Sequence, residues 1–366
     1  MQRCLELARH GAGYVAPNPM VGAVLVYDDK IIGEGWHEQY GGAHAEVNCI
    51  SSVKKEDKAL ISRSTLYVSL EPCAHYGKTP PCADLIIRHK IPKVVIGCRD
   101  PFKEVDGKGI EKLEAAGVEV EEAERLLRYA CKQINKRFFT FHKEQRPFIV
   151  LKWAQTGDGK IASLNPSKGG TSDPVMSRLM ISNEYSNRLV HQWRSEEAAI
   201  LVGTNTALLD DPELTTRLWP GPSPIRLVID MDLRLPKTLR IYNREHPTIV
   251  FNSKVHDLDE NMTAQMLKKN PGPCYYKVKQ SIYPLREITN ALYRLDIQSV
   301  LVEGGAKLLQ SFIDEGLWDE MRIINNYGLL AGGGLPAPKP ENAILVESME
   351  LFSDTIETYM PASPDH

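Results

Sequence analysis

Apolar positions in the first third of the chain recur at strand spacing and then at helix spacing. The run at 20–26 predicts a strand, the charged residues 28–30 predict a turn, and 31–36 predicts the returning strand of a hairpin. Residues 1–13 precede this hairpin as a predicted amphipathic helix. The pattern continues with a helix after Glu46, a strand at 65–70, a helix at 83–90, a strand at 93–97, a helix at 109–117, a strand at 118–120 and one long helix at 121–142. Two strands followed by alternating helices and strands predict a sheet covered by helices.

A polar, proline-ended break at 143–147 separates this part from a second alternating part. The break precedes a new apolar strand at 148–153, so we predict a boundary there, with domains at 1–143 and 147–366. The second domain is predicted to contain strands at 198–202, 225–229, 248–251, 299–302 and 321–324, and helices at 183–194, 284–295 and 305–315. The glycine- and proline-rich segment 330–340 is predicted to be a loop. Because no internal repeat relates the halves, they predict two different α/β folds.

Length, composition and charge narrow the possible functions. At 366 residues the chain is long enough for two or three domains, each with its own core. The net charge of -3 gives no basis for nucleic-acid binding, and no apolar run approaches ~20 residues, so neither a nucleic acid nor a membrane is expected as a partner. The chain has seven cysteines, an odd number, and its first residues lack the apolar core of a signal peptide. Both features predict a reducing, cytoplasmic location.

Two short segments carry residues suited to metal chemistry. His44 and Glu46 lie in His-Ala-Glu, and Cys73 and Cys82 bound the run Cys-Ala-His-Tyr-Gly-Lys-Thr-Pro-Pro-Cys. One imidazole and two thiolates can hold zinc and leave its fourth position open for water. A carboxylate two residues after the imidazole can move protons, as in zinc deaminases. We therefore predict His44, Cys73 and Cys82 as zinc ligands and Glu46 as the catalytic proton carrier.

The interval between the two cysteines leaves alternatives open. Nucleotide deaminases have two residues between them, whereas eight separate Cys73 from Cys82 here. A structural zinc site, or two unrelated buried cysteines, would also fit this interval. The His-x-Glu pair, the Glu-Pro-Cys at a strand end and the polar, turn-rich insert favour a catalytic zinc site with a substrate loop.

Four segments together resemble the family of bifunctional riboflavin-biosynthesis deaminase/reductases: residues 17–22, 33–37, 44–46 and 71–82. The eight-residue interval with Gly-Lys-Thr-Pro-Pro is distinctive of that family's deaminase domain, and it separates this chain from cytidine deaminases and tRNA adenosine deaminases. The resemblance implies a cytidine-deaminase-like α/β/α sandwich. It also implies a diaminopyrimidinone substrate with a phosphoribosylamino group, which becomes the corresponding aminouracil.

The same resemblance implies which residues contact the deaminase substrate: Asn18, His37, His75, Lys78, Thr79 and Asp100. An amide such as Asn18 both donates and accepts hydrogen bonds and suits a pyrimidine ring, although Asn18 could instead cap a turn. Lys78 and Thr79 suit a phosphate, although Lys78 could be a solvated lysine. Asp100 follows a strand end, where ligands collect in open α/β sheets.

The second domain has no Gly-x-Gly-x-x-Gly, so a Rossmann dinucleotide site is not supported. Lys152 nevertheless lies within an apolar strand, where it needs a partner that a bound anion would supply. The strand, double glycine and helix start at 301–306 would point backbone N–H groups at a phosphate. On its own, the Gly304–Gly305 pair could equally be a tight strand-to-helix turn.

Residues 146–360 resemble the reductase domain of the same family, which has a dihydrofolate-reductase-like fold. The resemblance implies an NADPH site at Gln155, Thr206, Asp210 and Gly305, and a substrate site at Lys152, Arg194, Leu214, Arg217 and Glu303. The two arginines could bind the ribose phosphate in bidentate fashion, and each alone could be a surface salt bridge.

The resemblance thus implies zinc-dependent deamination followed by NADPH-dependent reduction of the ribosyl group, in a homodimer or tetramer formed through the reductase domains. Two alternatives stay open at this point. One is an active deaminase with a non-catalytic, metabolite-sensing C-terminal domain. The other is a nucleotide-binding or regulatory protein whose second domain senses a phosphorylated metabolite.

Overall fold

The computed structural model describes residues 1–76, 80–102, 105–165, 175–177, 179–259, 261–279 and 284–362. The chain divides into two compact units, Met1–Gln145 and Arg146–His366. Within the described residues, no helix is both long and apolar enough to cross a membrane.

The first unit is a sheet with helices on its faces. Its strands are β1 (Gly22–Tyr27), β2 (Lys30–Trp36), β3 (Thr65–Val68), β4 (Lys93–Ile96) and β5 (Glu119–Glu122). Its helices are α1 (Gln2–Arg9), α2 (Ala45–Ser52), α3 (Cys82–Arg88), α4 (Lys108–Ala115), α5 (Arg125–Ile134) and α6 (Lys136–Glu144), with a 3₁₀ segment at Lys55–Arg63. The predicted hairpin and the predicted sheet with helical cover are both present.

The strand order in this sheet is β2-β1-β3-β4-β5. The hairpin and the β1–β3 pair are antiparallel, whereas β3, β4 and β5 are parallel. Asp28 and Asp29 make the hairpin turn with φ of 50° and 59°, a left-handed conformation that aspartate tolerates. Because β3 and β4 are parallel, the loops that follow them leave the sheet at the same end, the carboxyl ends of the strands. Ligands bind at this end in α/β folds.

The single long helix predicted at 121–142 is wrong. Residues 119–122 form the edge strand β5, and the helical part is divided into α5 and α6 at Asn135. The Asn135 side chain donates to Met20 O and accepts from Met20 N, both at 2.8 Å. This contact between residues distant in the chain holds Asn135 at φ -107° and ψ 20°, outside the α-helical range. The helical periodicity of the sequence does not reveal such a side-chain contact.

The second unit is built on a larger sheet. Its strands are β6 (Phe148–Thr156), β7 (Lys160–Asn165), β8 (Val175–Ser177), β9 (Ala199–Gly203), β10 (Ile225–Ile229), β11 (Pro247–Asn252), β12 (Gly272–Lys277), β13 (Ser299–Val302), β14 (Glu320–Asn326), β15 (Gly334–Pro336), β16 (Ala343–Leu351) and β17 (Asp354–Pro361). Its helices are α7 (Glu184–Glu196), α8 (Thr204–Asp210), α9 (Ala264–Lys269), α10 (Pro284–Arg294) and α11 (Ala306–Asp314), with a 3₁₀ turn at Arg240–Tyr242.

The main sheet has the order β12-β11-β10-β9-β13-β6-β14-β17-β16, and β7, β8 and β15 form a second, small sheet. In the main sheet β12 through β14 are parallel, and β17 and β16 are added antiparallel. Alternation along β6 sends Ile149, Leu151 and Trp153 into one apolar cluster, and Phe148 and Val150 into another on the opposite face. The different strand orders confirm that the two halves are different α/β folds.

The predicted loop at 330–340 is only partly a loop, because β15 pairs antiparallel with β7 inside it. A Cβ atom on Gly334 would lie 2.0 Å from Ala162 O. Glycine therefore allows this close approach of two backbones, whereas in the sequence it indicated only a break.

Candidate active sites

The predicted zinc ligands meet at the edge of the first sheet. One ligand atom each from His44, Cys73 and Cys82 can be chosen so that all lie within 4.8 Å of one another. His44 Nδ1 is 3.3 Å from Cys82 Sγ and 3.6 Å from Cys73 Sγ. This donor set of one imidazole and two thiols fits a zinc ion.

Each ligand is placed by the end of an element. His44 is the residue before α2, Cys82 is the first residue of α3, and Cys73 lies in the loop after β3. The Cys82 N–H donates to Cys73 Sγ at 3.3 Å, and the Ala83 N–H donates to Cys73 O at 3.1 Å. The start of α3 therefore supports Cys73, because backbone N–H groups at a helix N-terminus stabilise a thiolate.

The hydrogen bonds among His44, Cys73 and Cys82 shift the pKa values of these groups in a way that suits cation binding. Hydrogen bonds from Cys82 and His44 lower the pKa of Cys73 to about 4, against the raising effect of burial. The hydrogen bond with Cys73 raises the pKa of His44 to about 9. A thiolate thus forms next to a protonated imidazole, and a zinc ion would take the place of that proton.

Glu46 lies in the first turn of α2, two residues after His44, and is 4% exposed. Burial first, and then the negative charge of Cys73, raise the pKa of Glu46 above its usual value. A carboxylate in this position can hold a proton at a pH where an exposed glutamate would have lost it.

Asn18 and His37 form a fixed pair. The Asn18 Nδ2 group is 3.0 Å from His37 Nε2, and His37 Nδ1 is 2.9 Å from Ala43 O. Burial lowers the pKa of His37, so the ring is neutral, with Nδ1 donating to Ala43 and Nε2 accepting from Asn18. His37 is therefore engaged at both nitrogens and orients the Asn18 amide.

Asp100 is 7% exposed in the loop after β4, and burial raises its pKa to about 7. Its Oδ1 accepts from the Phe102 N–H at 2.8 Å. Its own N–H donates to Glu71 Oε2 at 3.3 Å. The buried Glu71 carboxylate also accepts backbone N–H groups from Gly107, Gly109 and Ile110 at 3.1, 3.0 and 3.4 Å.

The rest of the predicted deaminase substrate site lies between the two cysteines. His75 Nδ1 is buried with no hydrogen-bond partner in the described part of the chain, and the His75 ring stands edge-on to Phe102 at 6.3 Å. Lys78 and Thr79 lie outside the described residues.

In the second unit, Lys152, Arg194 and Glu303 come together at one face of the main sheet. Arg194 Nε donates to Glu303 Oε1 at 2.8 Å and Arg194 Nη2 donates to Glu303 Oε2 at 2.7 Å. Burial raises the pKa of Glu303, but the Arg194 charge and hydrogen bonds, with Lys152, bring it down to about 2. Burial lowers the pKa of Lys152, and the charge of Glu303 opposes that shift.

Leu214 and Arg217 lie in the segment after α8. Leu214 is buried with φ 56°, whereas the exposed Arg217 donates through Nη1 to Glu213 Oε2 at 2.5 Å and to Thr215 Oγ1 at 2.8 Å. Arg194 is bound by Glu303, so in this structure the two arginines do not form a joint phosphate clamp. The Arg217 N–H donates to His191 Nδ1 at 2.8 Å, and burial lowers the pKa of His191 to about 4.

The double glycine stands where two strand-to-helix connections meet. A Cβ atom on Gly304 would lie 2.9 Å from Val202 Cβ, and one on Gly305 would lie 3.2 Å from Thr206 Oγ1. Gly305 has φ 73° and precedes α11. Thr206 and Gly305 are thus neighbours at the start of a helix, a geometry suited to a dinucleotide phosphate. Asp210 is the last residue of α8.

Gln155 is engaged by neighbours in the sheet. Its Oε1 accepts from Trp153 Nε1 and its Nε2 donates to Asn325 Oδ1, both at 2.8 Å. Alternation along β6 places Gln155 on the face opposite to Lys152.

Two supporting residues were not identified from the sequence. Glu71 stood within the Glu-Pro-Cys motif, but its partners are backbone groups 29 to 39 residues away. His191 carried no recognisable signal, because a lone histidine on a helix does not indicate which backbone N–H it will accept.

Family models match most of the chain. The cytidine and deoxycytidylate deaminase zinc-binding region matches residues 1–98, and the RibD C-terminal domain matches residues 147–346.

Curated relatives match both units together. The riboflavin biosynthesis protein RibD of Aquifex aeolicus is 41% identical over 88% of this chain and 85% of its own length. RibD of Escherichia coli K12 is 32% identical over 88% of this chain and 85% of its own length.

Solved structures of similar proteins also match both units together. The chain is similar to the diaminohydroxyphosphoribosylaminopyrimidine deaminase/5-amino-6-(5-phosphoribosylamino)uracil reductase of Thermotoga maritima, with 36% identity, a TM-score of 0.82 and coverage of 99% of this chain and 97% of that one. RibD of Acinetobacter baumannii has 30% identity and a TM-score of 0.82, with coverage of 98% and 97%.

Proposed function

The chain belongs to the RibD family of riboflavin-biosynthesis proteins, and we propose how its residues divide the two reactions of that family. It is a bifunctional enzyme with a zinc-binding deaminase domain and an NADPH-dependent reductase domain. We assign the deaminase to residues 1–143 and the reductase to 147–366. The two compact units and the residues matched by the two family models support this division.

The proposed deaminase substrate is 2,5-diamino-6-(5-phosphoribosylamino)pyrimidin-4-one, by likeness to the Thermotoga enzyme. The observation that carries the proposal is the His44, Cys73 and Cys82 triad with the buried Glu46 beside it. Zinc, when bound by this triad, supplies a Lewis acid that makes water nucleophilic near neutral pH. The reaction replaces an amino group of the ring with the oxygen of water and releases ammonia.

Protein groups would carry the protons and hold the ring. Glu46 would take a proton from the attacking water, pass it to the ring nitrogen, and deliver another to the leaving amine, because its raised pKa suits both steps. Asn18, oriented by His37, would bind the pyrimidine edge. His75 and Asp100 would bind the substrate nearby, and Lys78 and Thr79 would bind its phosphate.

The proposed reductase substrate is the deaminated product, 5-amino-6-(5-phosphoribosylamino)uracil, whose ribosyl group becomes ribityl. NADPH, when bound, supplies the hydride for C1 of the ring-opened sugar. We assign its binding to Gln155, Thr206, Asp210 and Gly305. The contact between the Gly304–Gly305 turn and Thr206 supports this assignment.

We assign the reductase substrate to Lys152, Arg194, Leu214, Arg217 and Glu303. The Glu303 carboxylate acts on the Lys152 side chain through its charge, and the ammonium group would donate to a substrate oxygen or phosphate. Arg194 holds the Glu303 carboxylate ionised and in one orientation. The exposed Arg217 is then the arginine best placed to meet a phosphate.

Oligomeric state and location complete the proposal. We infer a homodimer or tetramer formed through the reductase domains. The edge strand β16 supports this, since Ile344, Leu345 and Val346 are 50%, 48% and 49% exposed. We also infer a cytoplasmic location, because all seven cysteines are free thiols.

The test is to incubate the purified protein with the diaminopyrimidine substrate and NADPH. Ammonia release and loss of the reduced-nicotinamide absorbance are followed together. We expect both signals, with NADPH oxidation depending on prior deamination. Ammonia release without NADPH oxidation, even when the deaminated substrate is supplied, would contradict the reductase assignment and favour a metabolite-sensing C-terminal domain.

A further inference from the structure

A buried ion pair on β14 has no part in the roles assigned above. Glu320 is 2% exposed and Arg322 is 8% exposed. Arg322 Nε donates to Glu320 Oε1 at 2.6 Å, and Arg322 Nη2 lies 2.6 Å from the same oxygen as an ion pair. Replacing such a pair with apolar side chains is often neutral or stabilising. Stability of the fold is therefore a weak explanation for its presence.

Arg322 reaches from the sheet to helix α7. Its guanidinium carbon lies 4.8 Å from the centre of the Trp193 ring, and Trp193 is 8% exposed. A cation over an indole is attracted most strongly when both are shielded from water. The next residue along α7 is Arg194, which binds Glu303.

One donor of this guanidinium is left unsatisfied. Arg322 Nη1 is buried and has no hydrogen-bond partner in the part of the chain that the structure describes. Unpaired buried donors are rare in folded proteins, and each calls for an explanation. Arg322 is held by Glu320 and by the Trp193 ring although a third interaction is missing. This arrangement favours a role in which the position of the Arg322 guanidinium matters more than its contribution to stability.

Strand register places the pair beside the proposed reductase site. In the parallel pairing of β6 and β14, Arg322 is the partner of Lys152. Partners in register point to the same face of a sheet, which here is the face of Val150 and Ile324. The charge of Glu303 acts on Lys152 from that face.

We propose that Arg322 is a positioning residue of the reductase reaction. Through Trp193 it holds α7 so that Arg194 binds Glu303 in one geometry beside Lys152. Arg322 does not touch the substrate; it acts through Arg194. This rests on the roles proposed above for Arg194 and Glu303.

A double-mutant cycle on the full-length protein tests the proposal, with reductase kcat and KM measured on the deaminated substrate and NADPH. Changing Glu320→Leu together with Arg322→Met removes both charges and leaves neither unpaired. We expect kcat/KM to fall about tenfold, mainly through KM. Arg322→Lys keeps a cation over Trp193 and should stay within about threefold of the parent. When Arg194→Lys is already present, adding Glu320→Leu/Arg322→Met should lower kcat/KM by less than about twofold relative to Arg194→Lys alone.

Two comparisons separate positioning from stability. Arg146→Met breaks another arginine–carboxylate pair of this unit, that with Asp319, and should lower thermal stability without raising the reductase KM. Trp193→Phe keeps a ring under Arg322, whereas Trp193→Leu removes it. The Leu variant should reproduce the rise in KM even if the double variant does not fold.

Three outcomes would overturn the proposal. A parent-like KM in the folded Glu320→Leu/Arg322→Met variant, or in Trp193→Leu, would show that the contact is dispensable. A full, independent loss on top of an impaired Arg194→Lys enzyme would show that Arg322 does not act through Arg194. A parent-like Arg194→Lys enzyme would overturn the assigned role of Arg194 itself, and this inference with it.

Discussion

Arg194 and Glu303, 109 residues apart in the chain, form a bidentate ion pair with N–O distances of 2.8 and 2.7 Å. Their side chains are only 12% and 9% exposed. Planar pairs of this kind fix orientation as well as charge. The pair therefore fixes the orientation of both side chains at the proposed reductase substrate site.

The first prediction is a pH dependence of stability. The pKa of Glu303 is lowered from 4.5 to about 2. A carboxylate whose pKa is lower in the folded than in the unfolded state stabilises the fold at a pH above its unfolded-state pKa. This stabilisation is lost as the pH falls through the folded-state pKa. We expect the difference in unfolding free energy between parent and Glu303→Gln to shrink by about 3 kcal/mol from about pH 6 to about pH 2.

Urea unfolding followed by tryptophan fluorescence measures this difference, since four of the five tryptophans lie in the second unit. An exposed carboxylate variant, Asp232→Asn, is the control and should run parallel to the parent. A constant gap between parent and Glu303→Gln across that range would contradict the pKa assignment.

The second prediction concerns Asn18 and His37. Since His37 is hydrogen-bonded at both nitrogens, we expect His37→Phe to act by releasing Asn18. His37→Phe should raise the deaminase KM by about fivefold to tenfold, and the same change in an Asn18→Ala background should have little further effect. Steady-state ammonia release measures both. Multiplying effects would instead indicate that His37 contacts the substrate directly.

The third prediction concerns Glu71. Its carboxylate accepts four backbone N–H groups, so Glu71→Gln would set an amide donor against two of them. We expect the free energy of unfolding of the first unit to fall by about 2–4 kcal/mol, as measured by thermal or urea unfolding. The exposed Glu114→Gln is a matched control, and equal stability of the two variants would refute this role.

The fourth prediction concerns metal removal. Chelation, or Cys82→Ser, should abolish ammonia release and leave NADPH oxidation with the deaminated substrate unchanged, because the predicted ligands all lie in the first unit. Cys274→Ser, in the second unit, should keep both activities. Loss of reductase activity on mild chelation would show that the metal also serves the second unit.

The residue types and spacing of two short segments indicated that His44, Cys73 and Cys82 would come together, and the fold places one ligand atom of each within 4.8 Å of the others. Their role as zinc ligands stays a prediction. The sequence did not predict that Arg194 would bind Glu303, since no local pattern joins residues so far apart. The helix predicted through Asn135 failed for the same reason: a side-chain contact with Met20 decides the break. Local chemistry was readable in the sequence, whereas pairings created by the tertiary fold were not.

The most direct test of the bifunctional assignment is Glu46→Gln, measured for zinc content, ammonia release and NADPH oxidation in one preparation. We expect zinc to be retained, ammonia release to fall at least about a thousandfold, and NADPH oxidation with supplied deaminated substrate to stay at the parent rate. Loss of zinc, or ammonia release near the parent rate, would contradict the role of Glu46 as the proton carrier of a zinc deaminase joined to an independent reductase.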